Sequence, residues 1–490
     1  MELTATENAS SSFSSSKARR YLLWALLSVA INFLVSPIYT LMFDNSIFNI
    51  VGHAILEGRV VYQDIFDHKG PIMLLLNAFT QLAPGLDFAL TSLMLAVSME
   101  ILWRFVNLFP ISKLQGGLVM AITLIYFAAT ADLNNVENWS YLFNLYALYV
   151  GVKHLMDGTF KFSRGEAFLL GVCLAVPLLI RPNNCGIPAA VILFFGLRAL
   201  IKAQWKTALE EIVWLLVGIA VVFIPILCYL AYHHAVSDMW FAYIEYNLVY
   251  KANFYSKIAN EVVGVKWFIK SCGYRFALWL LPIAAICIRK KLKYSREILI
   301  LSLVLFVVQY VALGFYIGLQ HYYNINTPIV AFEFSLFAVA ITNPKVRTRV
   351  LLIVSVIMLC PILLSQRNRL PYNRYLFGDQ YAENLANDIR RTIPETDWDE
   401  IYTFGHTNFF RAIRDLGIIP MNKYFYAQQK QMSLHPKIKA EIVEYLANNR
   451  PKWIIMTDYY MTQECLLTPI MDDYQAIPVS GEAVILKRKF

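Results

Sequence analysis

The segment from Tyr21 to Phe43 reads YLLWALLSVAINFLVSPIYTLMF and carries no charged side chain. A transmembrane helix needs about 20 consecutive apolar residues, so this segment is long enough to cross a bilayer. It is too long for the apolar core of a signal peptide, and no cleavage site of small residues follows it. We therefore predict a retained first transmembrane helix, preceded by a cytoplasmic tail over residues 1–20.

The rest of the chain repeats this pattern. Of its 490 residues, 58% are hydrophobic and 16% are charged, and short charged loops separate the apolar segments. This composition is typical of a polytopic helical membrane protein. The net charge of +9 comes from basic clusters in the loops, which orient membrane helices, so it does not indicate nucleic-acid binding. The seven cysteines show no disulfide framework, CxxC pair or zinc spacing.

The basic clusters set the predicted topology, because cytoplasmic loops of membrane proteins are rich in Lys and Arg. If the clusters all face the cytoplasm, the apolar segments form about eleven spans within a transmembrane module over 21–365. The apolar segment Pro71–Leu82 is too short to span, and we predict a juxtamembrane or half-inserted helix there. The candidate spans are 21–42, 88–108, 117–132, 139–152, 166–180, 186–200, 211–232, 267–288, 298–317, 325–342 and 350–365.

The tail from 366 to 490 has the balanced charge and patterning of a soluble domain. Its position after the last span predicts a small extracytoplasmic α/β domain. Short strands are predicted over Asp399–Phe404, Trp453–Thr457 and Ala483–Lys487, and an amphipathic helix over His435–Asn448.

Directly after the first apolar segment, residues 44–71 read DNSIFNIVGHAILEGRVVYQDIFDHKGP. Three Asp, two His, one Lys and one Arg beside a bilayer suggest a functional site. Asp44, at the end of the first span, could act as a general base on a hydroxyl, or it could cap the next helix. The stretch could also be a solvated loop that contains a helix.

The motif YQDIFDHKGP over Tyr62–Pro71 is more specific. Lys69 and His68 supply hydrogen-bond donors for a phosphate, while Asp64 and Asp67 could orient those donors or a sugar hydroxyl. A charged turn before a juxtamembrane helix is the alternative. On the predicted topology further polar residues reach the same outer face: Glu137, Arg181, His321 and Tyr322. Arg181 could instead extend to the membrane interface, and His321 and Tyr322 could belong to an interfacial belt.

Over nearly its whole length the chain resembles the bacterial membrane glycosyltransferases of family 39. Those enzymes share the GT-C fold with protein O-mannosyltransferases and aminoarabinose lipid A transferases. The resemblance is carried by six features: Asp44, the Tyr62–Pro71 motif, Glu137 within NNVENWS, LIRPN at Leu179–Asn183, HYY from His321, and KYFY at Lys423–Tyr426. In some relatives a second acid follows the first directly, but here that position is Asn45.

The resemblance implies an inverting transferase that moves a sugar from a polyprenyl-phosphate carrier to an envelope glycan, lipid or protein at the outer membrane face. Asp44 would be the base, alone or with Glu137 or Asp64. Lys69 would hold the departing phosphate with help from His68, Arg181 or His321, and Asp67 and Tyr322 would contact substrate. No cofactor or metal is implied, although outer-face carboxylates could bind a divalent cation adventitiously.

Two other functions are compatible with such a chain. A transporter or flippase would place ionisable residues near the membrane midplane, in helices arranged as repeated halves. We find no convincing repeat, and the ionisable residues collect on one predicted face. A catalytically silent scaffold for the outer domain would have no need of the cluster from Asp44 to Lys69. The sequence discloses neither the donor sugar nor the acceptor.

Overall fold

The structure is a computed structural model. It describes residues 17–33, 43–131, 134–250, 278–288, 291–313, 320–369, 380–405, 409–457, 468–479 and 483–489. The chain divides into two compact units. The first comprises Met1–Ser36, Asp87–Phe223 and Gly264–Arg369, and the second comprises Pro37–Leu86, Ile224–Val263 and Leu370–Phe490. The second unit therefore combines the stretch after the first predicted span with the C-terminal tail.

The protein is mostly helical. Its helices are, in chain order, α1 (17–33), α2 (Phe43–Leu56), α3 (Pro71–Thr80), α4 (Leu86–Val106), α5 (Lys113–Thr130), α6 (Val136–Asp157), α7 (Arg164–Ile180), α8 (Gly186–Ile201), α9 (Trp205–Tyr232), α10 (Val236–Met239), α11 (Leu278–Cys287), α12 (Ser295–Leu313), α13 (Thr327–Ala340), α14 (Pro344–Arg369), α15 (Gln380–Thr392), α16 (Phe409–Asp415), α17 (Gln428–Leu434) and α18 (Pro436–Asn448). A π-helical turn over Trp240–Glu245 follows α10, and 3₁₀ turns include Pro182–Cys185 and Gln320–Asn326.

Within the described ranges, five helical segments are long and apolar enough to cross a membrane: Leu86–Val106, Lys113–Thr130, Pro182–Ile201, Trp205–Tyr232 and Ser295–Ala312. They agree with five of the predicted spans and indicate a helical membrane protein. The other predicted spans fall on helices that are too short or not apolar enough to count among these five. Residues 34–42 and 267–277 of those spans lie outside the described residues. The short apolar helix predicted from Pro71 is present as α3.

Local signals explain where several helices of the first unit begin and end. Ser112 caps α5, and Ser163 caps α7, each in a reciprocal capping box with the side chain three residues later. Asn135 caps α6, whose last turn ends at Gly158 with a φ of 70°. Because of these caps α6 is a 22-residue helix, considerably longer than the predicted span 139–152.

Glycines allow α7 and α9 to approach each other closely. A Cβ on Gly171 would collide with the backbone carbonyl of Leu215, and a Cβ on Gly218 would collide with that of Phe168. Each glycine therefore lies against the backbone of the opposing helix at the point where the two helices cross. Small residues have this role in many membrane helix pairs, because they let two backbones come into van der Waals contact.

The second unit contains a four-stranded sheet with strands β1 (Ile401–Phe404), β2 (Trp453–Thr457), β3 (Tyr474–Pro478) and β4 (Ala483–Arg488). The order is β1-β2-β4-β3, with β1 parallel to β2 and the other two pairs antiparallel. In the same unit α2 packs against α3 and α16. Three predicted strands and the predicted amphipathic helix are present. The first strand starts later than predicted because Glu395–Glu400 form a 3₁₀ turn, and β3 was not predicted.

Candidate functional site

The loop between α2 and α3 is folded by its own side chains. The backbone N–H of Val60 donates to Oδ2 of Asp64 over 2.7 Å, and the N–H of Asp64 donates back to the Val60 carbonyl over 2.8 Å. Tyr62 has a φ of 71°, a conformation that is rare for a bulky residue. Its buried hydroxyl donates to the carbonyl of Lys69 over 2.8 Å. Asp64 thus closes a turn, and Tyr62 fixes the end of the motif.

Asp67 is the buried anchor of the motif, with only 1% of its surface exposed. Its Oδ1 accepts the backbone N–H of Lys69 over 2.7 Å, and its Oδ2 accepts the hydroxyl of Tyr426 over 3.0 Å. Burial raises the pKa of Asp67, the charge of Asp44 adds to this rise, and the charge of Lys69 opposes it. Both oxygens of Asp67 bond to protein groups, and its contact with substrate stays a prediction.

His68 and Lys69 form the cationic part of the site, which we call the lysine–histidine pair. Nζ of Lys69 lies 3.1 Å from Nε2 of His68. An ammonium group can only donate, so Nε2 of His68 is the acceptor in this contact. The other ring nitrogen, Nδ1, lies 3.4 Å from the Tyr426 hydroxyl and 3.9 Å from Oδ1 of Asp67. The buried acid and the tyrosine therefore orient the ring that receives the lysine.

Two further elements of the second unit hold the histidine. The side-chain amide of Asn247 donates to the carbonyl of His68 over 2.7 Å. The His68 ring lies 5.9 Å from the Tyr250 ring, nearly parallel to it, and 5.5 Å from the ring of Tyr246. These residues follow the π-helical turn, within the aromatic segment that the predicted topology assigns to an outer loop.

The KYFY motif of the tail bonds directly to this loop. The N–H of Phe66 donates to the carbonyl of Lys423 over 3.0 Å, and the rings of Phe66 and Tyr424 lie 4.9 Å apart. Tyr426, the last residue of KYFY, bonds to Asp67 as described above. Burial raises the pKa of Tyr426, so this hydroxyl keeps its proton and remains a donor. Two motifs far apart in sequence thus form one site.

Asp44 lies in the first turn of α2 and is half-buried. Its charge is the smallest of the causes that raise the pKa of Asp67 and that of Tyr426, so its carboxyl group is within electrostatic range of both. A carboxyl group with access to solvent therefore acts electrostatically on the anchor of the lysine–histidine pair. The site thus contains a candidate base and a candidate phosphate ligand within one unit.

Three of the remaining candidates form a second contact set, within the first unit. Nη1 of Arg181 donates to Oε1 of Glu137 over 2.6 Å, and the guanidinium lies 4.2 Å from the centre of the Tyr322 ring. Glu137 is only 2% exposed and the side chain of Arg181 is 19% exposed, so this ion pair is partly buried. The backbone of His321 lies in the 3₁₀ turn over Gln320–Asn326, and its side chain is outside the described residues.

Sequence reasoning found the motif residues but missed the groups that hold them. Asn247 and Tyr426 bond to the motif from distant segments, and the sequence offered only weak signals for them: an aromatic outer loop and the KYFY resemblance. Across the ranges that the structure describes, no three His, Cys, Asp or Glu side chains are grouped as they would be to hold a metal ion.

No protein-family model matches this chain, and no curated protein sequence matches it.

Proposed function

We propose that this protein is a membrane glycosyltransferase of GT-C architecture, with about eleven spans. It would transfer a sugar from a polyprenyl-phosphate carrier to an envelope glycan, lipid or protein acceptor at the outer membrane face. The main support is the lysine–histidine pair, which Asp67 and Tyr426 hold in place and on which the charge of Asp44 acts through Asp67. The resemblance of the Tyr62–Pro71 motif to family 39 points to the same function.

In the proposed reaction the acceptor hydroxyl attacks the anomeric carbon of the donor sugar from the side opposite the phosphate. Asp44 takes the hydroxyl proton, the new carbon–oxygen bond forms, and the bond from the anomeric carbon to the phosphate oxygen breaks. The electron pair of that bond stays on the lipid phosphate, which leaves with added negative charge. Inversion of configuration follows from this single displacement.

Lys69 would stabilise the departing phosphate. A phosphate leaves without being protonated, so the site has mainly to stabilise negative charge. The ammonium of Lys69 has three N–H donors, and His68 takes up one of them, which fixes the direction of the side chain. Glu137 and Arg181 already neutralise each other, so we assign the phosphate to Lys69 rather than to Arg181.

The carrier lipid also needs an apolar surface. An open groove of about 870 Å³ in the second unit is lined by Ala231, His234, Val236, Ser237, Trp240, Phe241, Glu245 and Lys437. Phe241 lies 6.4 Å, ring to ring, from Phe66, which directly precedes Asp67. We propose that this groove takes the first isoprene units of the carrier, with the phosphate at Lys69.

The test is a transfer assay with purified full-length protein, a set of radiolabelled polyprenyl-phosphate sugars and a membrane extract as the source of acceptor. We expect label to leave the carrier and appear in one acceptor fraction. Asp44→Asn should slow this transfer by roughly two to four orders of magnitude, the usual range for loss of a general base. Asp472→Asn is the matched control, since Asp472 is exposed, and it should retain wild-type turnover. Equal turnover in both variants would remove Asp44 from the reaction.

A further inference from the structure

Seven buried side chains in the helical first unit have polar atoms without hydrogen-bond partners among the residues that the structure describes. They are Glu137 (at Oε2), Tyr141, Asn144, Ser302, Gln309 (at Oε1), Asn326 (at Nδ2) and Glu333. None of these residues is more than 2% exposed. Buried polar groups nearly always bond to something, so a concentrated set of unpaired ones suggests a site for a polar ligand.

The spacing of these residues places them on single faces of three helices. Glu137, Tyr141 and Asn144 follow one another at intervals of four and three along α6. Ser302 and Gln309 are seven apart on α12, and Asn326, which directly precedes α13, is seven residues from Glu333 within it. Intervals of three, four and seven bring side chains to the same side of an α-helix.

The three helices are joined near both ends. At one end Gln309 donates to Asn326 over 3.0 Å, and Asn324 donates to Asn138 over 2.7 Å. At the other end Lys291, just before α12, donates to the carbonyl of Ala340, the last residue of α13. There too the rings of Phe160 and Tyr294 lie 5.2 Å apart, linking the end of α6 to the start of α12. Hence α12 runs antiparallel to both α6 and α13, and α6 packs against both.

Because the relative directions of the three helices are known, the unpaired groups can be compared by their position along the helix axes. An α-helix rises about 1.5 Å per residue, so Ser302 and Glu333 each lie about 10 Å from the Gln309–Asn326 bond, in the same direction. Asn144 lies six residues from Asn138, about 9 Å along α6 in that direction. Asn144, Ser302 and Glu333 are therefore at one level, on three helices, and we call them the interior polar layer.

The chemistry of the unpaired atoms suits a cation. Seven of them are oxygens and two are amide nitrogens. Because Glu137 is neutralised by Arg181, Glu333 is the one carboxylate in the set without a basic partner among the described residues. A single carboxylate with neutral oxygens matches one positive charge, whereas dedicated calcium sites typically gather six to eight oxygens with several carboxylates. An unpaired carboxylate buried without such a charge would be strongly unfavourable.

We propose that the interior polar layer binds a monovalent alkali cation, with carboxylate oxygens of Glu333, Oγ of Ser302 and Oδ1 of Asn144 as its protein ligands. This site is independent of the proposed transferase reaction. It gives the helical unit a structural ion whose occupancy should follow the ionic composition around the protein. The alternative is a protonated Glu333 side chain, which would carry no charge and would give Ser302 and Asn144 no ligand role. The experiment distinguishes a bound cation from a protonated Glu333.

The test is the thermal unfolding midpoint of the purified full-length protein in NaCl, KCl or choline chloride at constant ionic strength. A ligand that binds the folded state stabilises it in proportion to ln(1 + [L]/Kd). We expect the midpoint to rise with Na⁺ or K⁺ and to saturate, and radioactive ²²Na⁺ to bind directly and be displaced by unlabelled Na⁺. Identical midpoints in the three salts, with no ²²Na⁺ bound, would overturn the proposal in favour of a protonated Glu333.

Two variants and a control refine the test. Glu333→Gln keeps the size of the side chain and should abolish the response to cation. Ser302→Ala should lower the affinity for the cation, so that the half-saturating cation concentration rises by about tenfold. This variant keeps the proposal testable if Glu333→Gln does not fold. Ser335→Ala is the matched control, because Ser335 is also buried but its hydroxyl donates to the carbonyl of Ala331 over 2.7 Å. Equal cation responses in the two serine variants would overturn the proposed ligand set.

Discussion

The hydroxyl of Tyr426 donates to Oδ2 of Asp67 over 3.0 Å, joining residues that are 359 positions apart in the chain. The bond connects the most specific feature of the sequence, the Tyr62–Pro71 motif, with the KYFY motif of the tail. Asp67 in turn accepts the N–H of Lys69, so the tail helps to fix the lysine–histidine pair. The C-terminal segment is therefore part of the candidate site.

The first prediction concerns this bond. Tyr426→Phe leaves one oxygen of buried Asp67 without its donor and should destabilise the protein by about 1–3 kcal/mol. It should also weaken binding of a polyprenyl-phosphate sugar, because His68 and Lys69 lose part of their support. Tyr474→Phe is the matched control, since the Tyr474 hydroxyl donates to the Pro451 carbonyl over 2.7 Å in the same unit. It should reduce stability and spare donor binding; parallel losses of binding would show that the Tyr426 effect is only structural.

The second prediction is a dependence of stability on pH. The folded state raises the pKa of Asp67 above its ordinary value, chiefly through burial, so the folded protein favours the protonated acid. This contribution is fully present below the ordinary carboxyl pKa and is lost as the pH rises through the raised one. Asp67→Asn cannot titrate, so the unfolding free energy of the wild type relative to this variant should fall as the pH rises from the ordinary carboxyl pKa through the raised one. A difference that rises over this range would contradict the assigned direction.

The third prediction concerns the crossing of α7 and α9. Gly218→Ala places a Cβ against the carbonyl of Phe168 and should destabilise the protein by about 1–3 kcal/mol, as overpacking usually does. Gly196→Ala is the control, because nothing lies within 4 Å of a Cβ there. That variant should be neutral or slightly stabilising, since alanine favours helix. Thermal unfolding in detergent measures both, and equal midpoints would argue against a close crossing.

The fourth prediction tests the proposed orientation in the membrane, in which the N-terminus is cytoplasmic and the C-terminal domain is extracytoplasmic. Cys introduced at the exposed Lys439 should react with a membrane-impermeant maleimide in intact cells. Cys at the exposed Lys293 should react only after the cells are opened. The unsubstituted chain gives the background from native cysteines. Labelling of the Lys293 variant in intact cells would reverse the proposed orientation.

The sequence predicted best where a pattern is local. Apolar length located the five candidate membrane-spanning helices among the eleven spans predicted, and alternation located three strands of the small sheet. It did not locate β3, whose residues from Tyr474 to Pro478 are mostly exposed and so lack an apolar pattern. Burial of Asp67 could not be predicted either, because it depends on Tyr426, which the chain brings in from the tail. Local patterns could not predict the pairing of Glu137 with Arg181 either, since Glu137 lies in the first turn of α6 and Arg181 directly follows α7.

We propose that Lys69 holds the phosphate of a lipid-linked sugar, and the decisive measurement is the affinity of purified protein for a radiolabelled polyprenyl-phosphate sugar. Lys69→Ala should weaken this affinity by about ten- to a hundredfold, the equivalent of a charged hydrogen bond of roughly 1.5–3 kcal/mol. Lys69→Arg should recover part of the loss, since it keeps the charge but not the shape. Lys439→Ala, at an exposed lysine, should bind as the wild type does. Unchanged donor affinity in Lys69→Ala, with only the KM for the acceptor altered, would show that Lys69 does not bind the carrier phosphate.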